Sequence, residues 1–420
     1  MILEDLFKEP SAMARFRTTP LGPEMDDFCE WLHCQGFRRN VMRRRIWQVS
    51  HFNQYLQKVG IKDCREVERS HGERFILKHL PRCRCGGRGI FKHVDEPRSV
   101  RSFLNYLSER GLLEVVAEAP PPYQALFEEY LDYLKRERNL AKQTLKTHRA
   151  NLMPFLEHLG ADAIPSRLYK LSAEQVQSFF LTSVEKKKVQ TISKSLQSVL
   201  RTFFRFCQQQ GYIRHDLSQA VPSIRTYKLA STPQGISDQD IHRILDHIDR
   251  KSPVGLRDFA IIQLLRTYGV RGGQVCALRL KDIQWSQNSI RFPALKGGKE
   301  VVEPLIPEIG ESLLDYLRFG RPRAAWPEVF LTAQAPIRPI RNSDTMTAII
   351  ARGMRRAGIT ELARGSRCFR HAFATRMLQH GQPLKVIADM LGHRDINTTF
   401  IYTKVDLKTL SSLPLDWPEV

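Results

Sequence analysis

The expected fold of the C-terminal part of this chain depends mainly on residues 366–405, SRCFRHAFATRMLQHGQPLKVIADMLGHRDINTTFIYTKV. It contains two runs with helical spacing of apolar residues, separated by a Gly-Gln-Pro break. Arg370 is expected to begin the first helix, whose buried side is formed by Phe373, Met377 and Leu378. His393 directly follows the second helix, and Tyr402 lies nine residues beyond it. The pattern therefore predicts a helix rich in basic residues, followed after a second helix by the single tyrosine Tyr402.

Upstream of this stretch, a second arginine and a pair of lysines occupy favourable places. The run DFAIIQLLRTYG (258–269) is apolar at helical spacing, and a new helix is expected to start at VRGGQV. Arg271 therefore falls at a helix N-terminus, where backbone N–H groups and a guanidinium favour an anion. The runs SIRFPA and VVEPLI flank LKGGKE and predict a β-hairpin, with Lys296 and Lys299 at its tip.

Composition and charge narrow the class of protein. The chain has 420 residues, of which 65 are Lys or Arg and 44 are Asp or Glu, giving a formal net charge of +21. A surplus of this size favours a nucleic-acid partner, although a basic surface without a polyanion partner is the simpler alternative. No apolar run is long enough for a membrane span, and the first residues, MILEDLFKEP, do not resemble a secretory signal. The eight cysteines are therefore expected to be reduced in the cytoplasm.

Breaks in the pattern divide the chain into domains. A proline-rich linker is expected near 114–122, and a second break lies near 222–235. We expect a helical domain over 1–113, a second helical domain over 123–221, a catalytic domain over 236–410 and a tail over 411–420. The expected fold is mainly α-helical, with a small β-sheet in the last domain.

The first two domains resemble each other. Each opens with an amphipathic helix and a basic turn, and each closes with a helix that ends at a glycine, Gly111 or Gly211. This pattern favours a duplicated helical domain, although any two amphipathic bundles share some of it. Basic residues cluster within each copy and are candidates for DNA phosphate binding, with a solvated charged face as the alternative. They are Arg43, Arg44, Arg45, Lys142, Lys146, Arg149, Lys186 and Lys187, together with Lys299 of the hairpin.

One pair of cysteines raises the question of a metal. Cys83 and Cys85 lie in PRCRCGGRG, residues 81–89. A C-x-C pair without a second Cys/His pair nearby is a weak zinc signal, so a flexible basic loop is the preferred interpretation. No metal site is expected from the sequence.

Five short motifs together resemble a known family. Their order and spacing resemble those of the catalytic boxes of the tyrosine recombinases of the phage-integrase and Xer type. The motifs are GVRGGQV, the lysine hairpin, CFRHAFAT, MLGHRDINTT and IYTKV. The resemblance covers residues 236–410. The domain over 123–221 is similar to the core-binding domain of that family, which clamps DNA opposite the catalytic domain, and the domain over 1–113 resembles an additional copy.

The resemblance implies a reaction and a set of catalytic residues. Tyr402 would attack a phosphorus of double-stranded DNA and form a 3′-phosphotyrosine that preserves the bond energy for rejoining. Arg271 and Arg370 would stabilise the charge of the transition state, His393 would hydrogen-bond the same phosphate, and Lys296 would protonate the leaving oxygen. The reaction is expected to need no metal, ATP or other cofactor.

The resemblance also implies an assembly. The tail segment DLKTLSSL is expected to form a short helix that docks on a neighbouring protomer. Members of the family act as homo-oligomers on DNA, typically tetramers, and sister recombinases are a further possible requirement. The setting expected for such an enzyme is a mobile element, phage or plasmid.

Two positions depart from the family pattern. Arg367 replaces the histidine of the usual His-x-x-Arg box, and arginine cannot accept a proton, so a general-base role there is lost. It would instead add a third phosphate contact. Gln274 replaces an acidic residue that would orient Arg271. These changes keep two alternatives open: a DNA-binding accessory homologue with impaired catalysis, and a type IB topoisomerase, which shares the chemistry.

Overall fold

A computed structural model describes most of the chain, and its contacts divide the chain into two compact units. One unit joins residues 1–114 with 231–420, and the other comprises 115–230. The expected tail helix, the linker centre and Cys85 lie outside the described residues. The structure describes residues 2–83, 95–113, 120–187, 190–224, 235–295, 299–341, 343–360 and 365–405.

The N-terminal part of the first unit is helical and has its own apolar core. Phe28, Phe52 and Phe103 are fully buried in that core. The long helix over 39–58 packs against the last helix of this part. The helices are α1 (Ile2–Leu6), α2 (Pro10–Phe16), α3 (Gly22–Cys34), α4 (Arg39–Lys58), α5 (Arg69–Arg74) and α6 (Glu96–Glu109).

The second unit is a helical bundle around aromatic residues. Tyr130, Phe155 and Phe203 are buried at its centre, and the Tyr130 hydroxyl lies 2.8 Å from Nδ1 of His148. Its second helix packs against its last, as α4 packs against α6. The helices are α7 (Gln124–Arg136), α8 (Lys142–Leu159), α9 (Ala173–Lys187) and α10 (Gln190–Gln209).

The C-terminal part of the first unit carries both helices and strands. Ser252 accepts a hydrogen bond from the N–H of Gly255 and Pro253 occupies the first turn, so a largely buried helix begins there. That helix ends at Gly269, which adopts a left-handed conformation. The helices are α11 (Asp238–Asp246), α12 (Pro253–Tyr268), α13 (Gly272–Ala277), α14 (Pro307–Asp315), α15 (Ser343–Arg356), α16 (Arg367–Gln379) and α17 (Leu384–Met390).

A small antiparallel sheet packs beside these helices. The strands are β1 (Ile283–Gln284), β2 (Ser289–Phe292) and β3 (Val301–Pro304), in the order β1-β2-β3. Phe292 pairs with Val301 and Ser289 with Pro304, so the expected hairpin is confirmed. The two-residue strand β1 was not predicted, since so short a run carries no alternation of polar and apolar residues.

The core of this part surrounds α12. Ile261 and Leu265 of α12, Phe292 of β2 and Ile350 of α15 are buried together. Two short 3-10 turns, Ile396–Thr398 and Phe400–Val405, follow α17. Phe373 and Leu391 pack with Tyr402 in a separate small cluster. The C-terminal turns are therefore held against α16 and α17 by apolar contacts.

The mainly helical fold class with a small sheet is confirmed. One boundary needs correction, because α16 begins at Arg367 and not at Arg370. Three apolar cores lie within the three expected domains, whose boundaries stay predictions. Within the described ranges, no helix has the length and apolar character that a membrane span needs.

Candidate active site

Arg370 joins the ends of three helices. It lies in the first turn of α16, and only 7% of its surface is exposed. Its Nη1 donates to the carbonyl of Gly269 at 3.1 Å and its Nη2 to that of Leu391 at 2.7 Å. A Cβ on Gly269 would lie 2.5 Å from the ring of Phe373, and its φ is 58°. Glycine at 269 is therefore required for α12 and α16 to approach closely enough for this contact.

Arg271 lies at the N-terminus of α13. Its backbone N–H donates to Oε1 of Gln274 at 3.0 Å, and Nε2 of Gln274 donates to the carbonyl of Pro293 at 3.2 Å. Gln274 is buried, so it fixes the main chain of Arg271 against the end of β2. The residue that replaces the family's acid thus still supports Arg271, through the backbone instead of through charge.

His393 is oriented by a threonine. Its Nδ1 lies 2.7 Å from Oγ1 of Thr399, and both residues are buried. The N–H of Tyr402 in turn donates to the carbonyl of Thr399 at 3.0 Å. Thr399 therefore connects the histidine with the backbone of the tyrosine.

Tyr402 is buried beside a histidine that follows Arg370 in the chain. Only 2% of its surface is exposed, and its hydroxyl lies 3.1 Å from Nδ1 of His371. Burial lowers the pKa of His371, and the charges of Arg367 and Arg370 lower it further. A neutral His371 can accept a proton from the phenol.

The charges of the site act on one another. Burial and then the charge of Arg271 lower the pKa of Arg370 to about 10. Burial and then the charges of Arg370 and Arg271 lower the pKa of His393 to about 4. Burial raises the pKa of Tyr402, and the same two arginines oppose that rise. The four residues therefore share one cationic region, which an anion would stabilise.

The hairpin lies beside the turn that carries His393. Gly392 has a φ of 63°, and a Cβ there would lie 3.2 Å from the Val301 side chain and 3.6 Å from the Lys299 carbonyl oxygen. Lys299 is exposed, and its charge lowers the pKa of Asp389 after the contribution of Lys385. Lys296 lies outside the described residues, and its catalytic role stays a prediction.

Arg367 is set apart from the buried residues. It is the first residue of α16 and is exposed, but its charge acts on His371. The structure thus brings Arg271, Arg370, His393 and Tyr402 together and leaves Arg367 at the edge of the group. Whether it contacts a phosphate stays a prediction.

The predicted DNA-binding arginines of α4 have contacts within their own domain. Arg44 pairs with Asp95 at 3.2 Å, and the Arg45 guanidinium lies 4.3 Å from the ring centre of Phe37. Arg43 lies 5.2 Å from the ring centre of Phe7. Such contacts fix guanidinium groups in place, and they leave DNA binding by these residues a prediction.

The basic residues of α8 are more available to a partner. Lys142 and Lys146 are exposed. Arg149 is exposed as well, but it pairs with Glu128 at 3.4 Å and lies over the Phe127 ring. The side chains of Lys186 and Lys187 lie outside the described residues. Phosphate binding by these residues stays a prediction.

Sequence reasoning missed two residues of the site. The sequence favours His371 as a support for Arg370, with simple packing as the alternative, and gives it no catalytic role, because its position next to Arg370 does not reveal which way the ring points. Thr399 was noted only as part of a motif. The helical spacing of α16 and the six-residue separation of His393 and Thr399 are the signals that could have suggested both.

Two family profiles match the chain. The profile of the phage integrase family matches residues 234–408. The profile described as the phage integrase N-terminal SAM-like domain matches residues 127–211. Both matches coincide with parts whose separate apolar cores are described above.

Similar proteins extend these matches. The y4rA protein of Sinorhizobium fredii, whose name assigns it provisionally to the integrases and recombinases, is 32% identical over 97% of each chain. The tyrosine recombinase XerD of Vibrio vulnificus is 30% identical over 68% of this chain and 92% of XerD. The crystal structure of the XerH site-specific recombinase bound to its difH substrate aligns with a TM-score of 0.52. That alignment has 18% identity and covers 81% of this chain and 94% of XerH, and it shows a shared fold.

The helical fold and the arginine–histidine–tyrosine site define a tyrosine-type DNA strand transferase. The chain belongs to the phage integrase family, which includes the site-specific tyrosine recombinases. The predicted family, enzyme class and recombinase function are thereby confirmed.

Proposed function

We propose that this chain cuts and rejoins double-stranded DNA at specific sites, with Tyr402 as the nucleophile. The observation that carries this assignment is the placement of the Tyr402 hydroxyl 3.1 Å from His371. The charges of Arg271 and Arg370 act on the same hydroxyl. A phenol with a proton acceptor and two fixed cations is suited to attack on a phosphodiester.

The first chemical step forms one bond and breaks one. The Tyr402 oxygen attacks the phosphorus while its proton passes to Nδ1 of neutral His371. The bond from phosphorus to the 5′-oxygen breaks, and the leaving oxygen takes a proton, for which Lys296 is the predicted donor. The reverse of this step, with a new 5′-hydroxyl as attacking group, rejoins the strand. His371 thus takes over the proton-accepting role that Arg367 cannot perform.

The two arginines have different supports. Arg370 is held by two backbone carbonyls, which use two of the five N–H donors of its guanidinium. Arg271 is held through its main chain by Gln274. Both would be in place before DNA binds, so little reorganisation would accompany the build-up of charge on the phosphate.

His393 completes the phosphate contacts. If the Thr399 hydroxyl donates to Nδ1, the ring carries its proton on Nε2 and can donate a hydrogen bond to a phosphate oxygen. The pKa of about 4 keeps the ring neutral at physiological pH. His393 is therefore a hydrogen-bond donor and not a third charge.

The buried position of Tyr402 adds a step before cleavage. With 2% of its surface exposed, the phenol needs the segment Phe400–Val405 to open enough to admit a phosphodiester, while its hydroxyl stays within reach of Nδ1 of His371. This segment is a short 3-10 helix of six residues held by a small apolar cluster, so its displacement disrupts few contacts. DNA binding would supply the free energy for that shift.

The assembly and setting are further parts of this proposal. Family membership supports a homo-oligomer on DNA with a tetramer as the working form, acting with or without sister recombinases. A mobile element is the proposed setting. The location in the cytoplasm expected from the sequence stays a prediction.

A nicked suicide substrate tests the proposal. Full-length protein is incubated with DNA that carries a nick next to the cleavage position, so that a small fragment diffuses away after attack. We expect a covalent protein–DNA adduct and, on a substrate with two sites, exchange of strands. Tight DNA binding without an adduct would favour the accessory homologue, and an adduct with relaxation but without exchange would favour a topoisomerase.

A further inference from the structure

A cluster of two histidines and one cysteine lies in the N-terminal helical part. His51 belongs to α4, His79 ends a π-helical turn at Phe75–His79, and Cys83 follows a 3-10 turn at Leu80–Arg82. Nε2 of His51 lies 3.4 Å from Nε2 of His79 and 3.4 Å from Sγ of Cys83. The candidate ligand atoms of the three residues all lie within 4.8 Å of one another, close enough to share one ion.

These distances match the spacing of ligands around a tetrahedral zinc ion. Zinc binds imidazole nitrogen at about 2.0–2.1 Å and thiolate sulfur at about 2.3 Å. A tetrahedral arrangement with those bond lengths separates neighbouring ligand atoms by about 3.3–3.6 Å. The two separations from His51 fall within this range. A set of two imidazoles and one thiolate also suits zinc better than magnesium or calcium, which prefer oxygen.

A buried carboxylate behind the cluster supports the same ligand. Nδ1 of His51 lies 2.5 Å from Oε1 of Glu96, and Glu96 is only 4% exposed although it carries a carboxyl group. When Nδ1 donates to this carboxylate, the lone pair of Nε2 points towards His79 and Cys83. Histidines that bind metals are commonly oriented by a carboxylate in this way.

Aromatic rings hold the two imidazoles in place. Phe75 stacks on His79 with ring centres 5.2 Å apart and makes an edge contact with His51, also at 5.2 Å. Tyr55 lies 5.1 Å from His79. The rings are therefore oriented by packing before any ligand binds, which lowers the entropy lost on binding.

We propose that His51, His79 and Cys83 bind one zinc ion, with Glu96 as the carboxylate that orients His51. The ion joins α4 to the chain segment 75–83 and stabilises the N-terminal helical part. The three residues supply three of the four ligands that zinc usually takes, and the fourth is not assigned. The sequence did not suggest the site, because His51 lies 28 positions before His79 and 32 before Cys83, and the C-x-C pair is a weak signal by itself.

Metal analysis of the full-length protein tests the site. Protein purified without chelators should contain about one zinc per chain, and Co²⁺ in its place should give thiolate-to-cobalt charge-transfer absorption. Cys83→Ser should abolish that absorption, and His51→Gln should lower the zinc content. Cys34→Ser and His33→Gln provide matched controls, since both residues are exposed in the same part of the chain, and they should bind zinc as the wild type does.

Two further measurements do not depend on the ligand variants being folded. Glu96→Gln keeps the shape of the side chain and should weaken zinc affinity by about 10–100-fold. Chelation should lower the Tm of the wild type, and added zinc should restore it. The proposal is overturned if wild-type protein binds neither Zn²⁺ nor Co²⁺, if chelation leaves its Tm unchanged, or if Cys83→Ser binds both metals like the Cys34→Ser control.

Discussion

Two polar clusters in this chain are both assembled from distant segments, and they attract ligands of opposite charge. The proposed catalytic cluster consists of Arg271, Arg370, His393, Tyr402 and His371. There, burial and the mutual repulsion of cations lower the pKa values of Arg370 and His393. The histidine–cysteine cluster consists of His51, His79 and Cys83, whose ligand atoms lie within 4.8 Å of one another, and His51 contacts the buried Glu96.

The chemical difference between the clusters indicates which charge of ligand each one would bind. Crowded guanidinium groups are stabilised by an anion such as a phosphodiester. Convergent imidazole and thiol lone pairs are stabilised by a soft or borderline cation. Residue type alone does not separate the two cases, because histidine occurs in both. The partner of the Nδ1 atom distinguishes the two cases. It is the Thr399 hydroxyl for His393 and the Glu96 carboxylate for His51.

Among the residues that surround Tyr402, the largest loss of rate is expected from Arg370→Ala. Removal of one cationic contact to the transition state should slow covalent cleavage by about 10²–10³-fold while DNA binding is largely kept. Arg370→Lys should not restore the rate, because an ammonium cannot reach both the Gly269 and Leu391 carbonyls as the fork does. Single-turnover cleavage of a suicide substrate measures the effect.

A control from the same helix makes the Arg370 result specific. Arg376 of α16 pairs with Asp238 at 2.7 Å and donates to the carbonyl of Arg266, and it has no proposed role in phosphate binding. Arg376→Ala should lower the Tm without a comparable loss of cleavage rate. Equal losses of rate in the two variants would mean that Arg370 acts by holding α16 in place and not by binding phosphate.

The next effect concerns the proton acceptor. His371→Gln should slow cleavage by about 10²-fold, at the low end of the contributions of general bases. In the wild type the rate should fall as pH falls below the ordinary histidine value of 6.5, because protonated His371 cannot accept the phenolic proton. Since the pKa of His371 is lowered, the fall should begin below 6.5 and not above it.

The pH profile separates a base from a packing residue. The variant His371→Gln should lose the dependence on pH in this range and keep only a uniform reduction of rate. A wild-type profile that is unchanged in the variant would assign the titration to another group and remove His371 from the mechanism.

A smaller effect is expected at the residue that orients His393. Thr399→Val removes a hydrogen bond worth about 1 kcal/mol, so cleavage should slow by roughly fivefold. Thr398→Val is a matched control, since Thr398 is exposed one residue earlier, and it should leave the rate unchanged. Identical rates for the two variants would show that the Thr399 hydroxyl does not determine the orientation of the His393 ring.

The smallest effect is expected at the position that departs from the family pattern. Arg367→His should leave cleavage intact or raise it, because Arg367 is exposed and its charge lowers the pKa of the neighbouring His371. The rate of adduct formation by the full-length variant measures this. A severe loss would identify Arg367 as a phosphate ligand of the catalytic cluster.

The sequence predicted the fold class well, because its signals are local. The apolar spacing of α12 and the glycine at 269 define one helix, and the Gly-Gly turn defines the hairpin. Strand β1 was not predicted, because two residues are too few to show the alternation of polar and apolar residues that marks a strand. The sequence analysis starts α16 at Arg370 instead of Arg367, although Ser366, a residue type preferred at the N-cap, precedes Arg367; its side chain makes no capping hydrogen bond in the structure.

The site was predictable only where residues occur in motifs. Arg271, Arg370, His393 and Tyr402 lie in boxes with fixed spacing, and the structure brings these four together. His371 could not be assigned, because its role depends on a contact with a residue 31 positions away. The histidine–cysteine cluster was missed for the same reason, since His51 lies 28 and 32 positions from its two partners.

Identification of the residue that becomes linked to DNA tests the central claim most directly. The adduct formed on a nicked suicide substrate is digested with nuclease and protease, and the modified peptide is sequenced by mass spectrometry. We predict a nucleotide linked through phosphorus to Tyr402, and complete loss of the adduct in Tyr402→Phe with DNA binding retained. A nucleotide on any other residue, or an adduct that persists in Tyr402→Phe, would contradict the assignment.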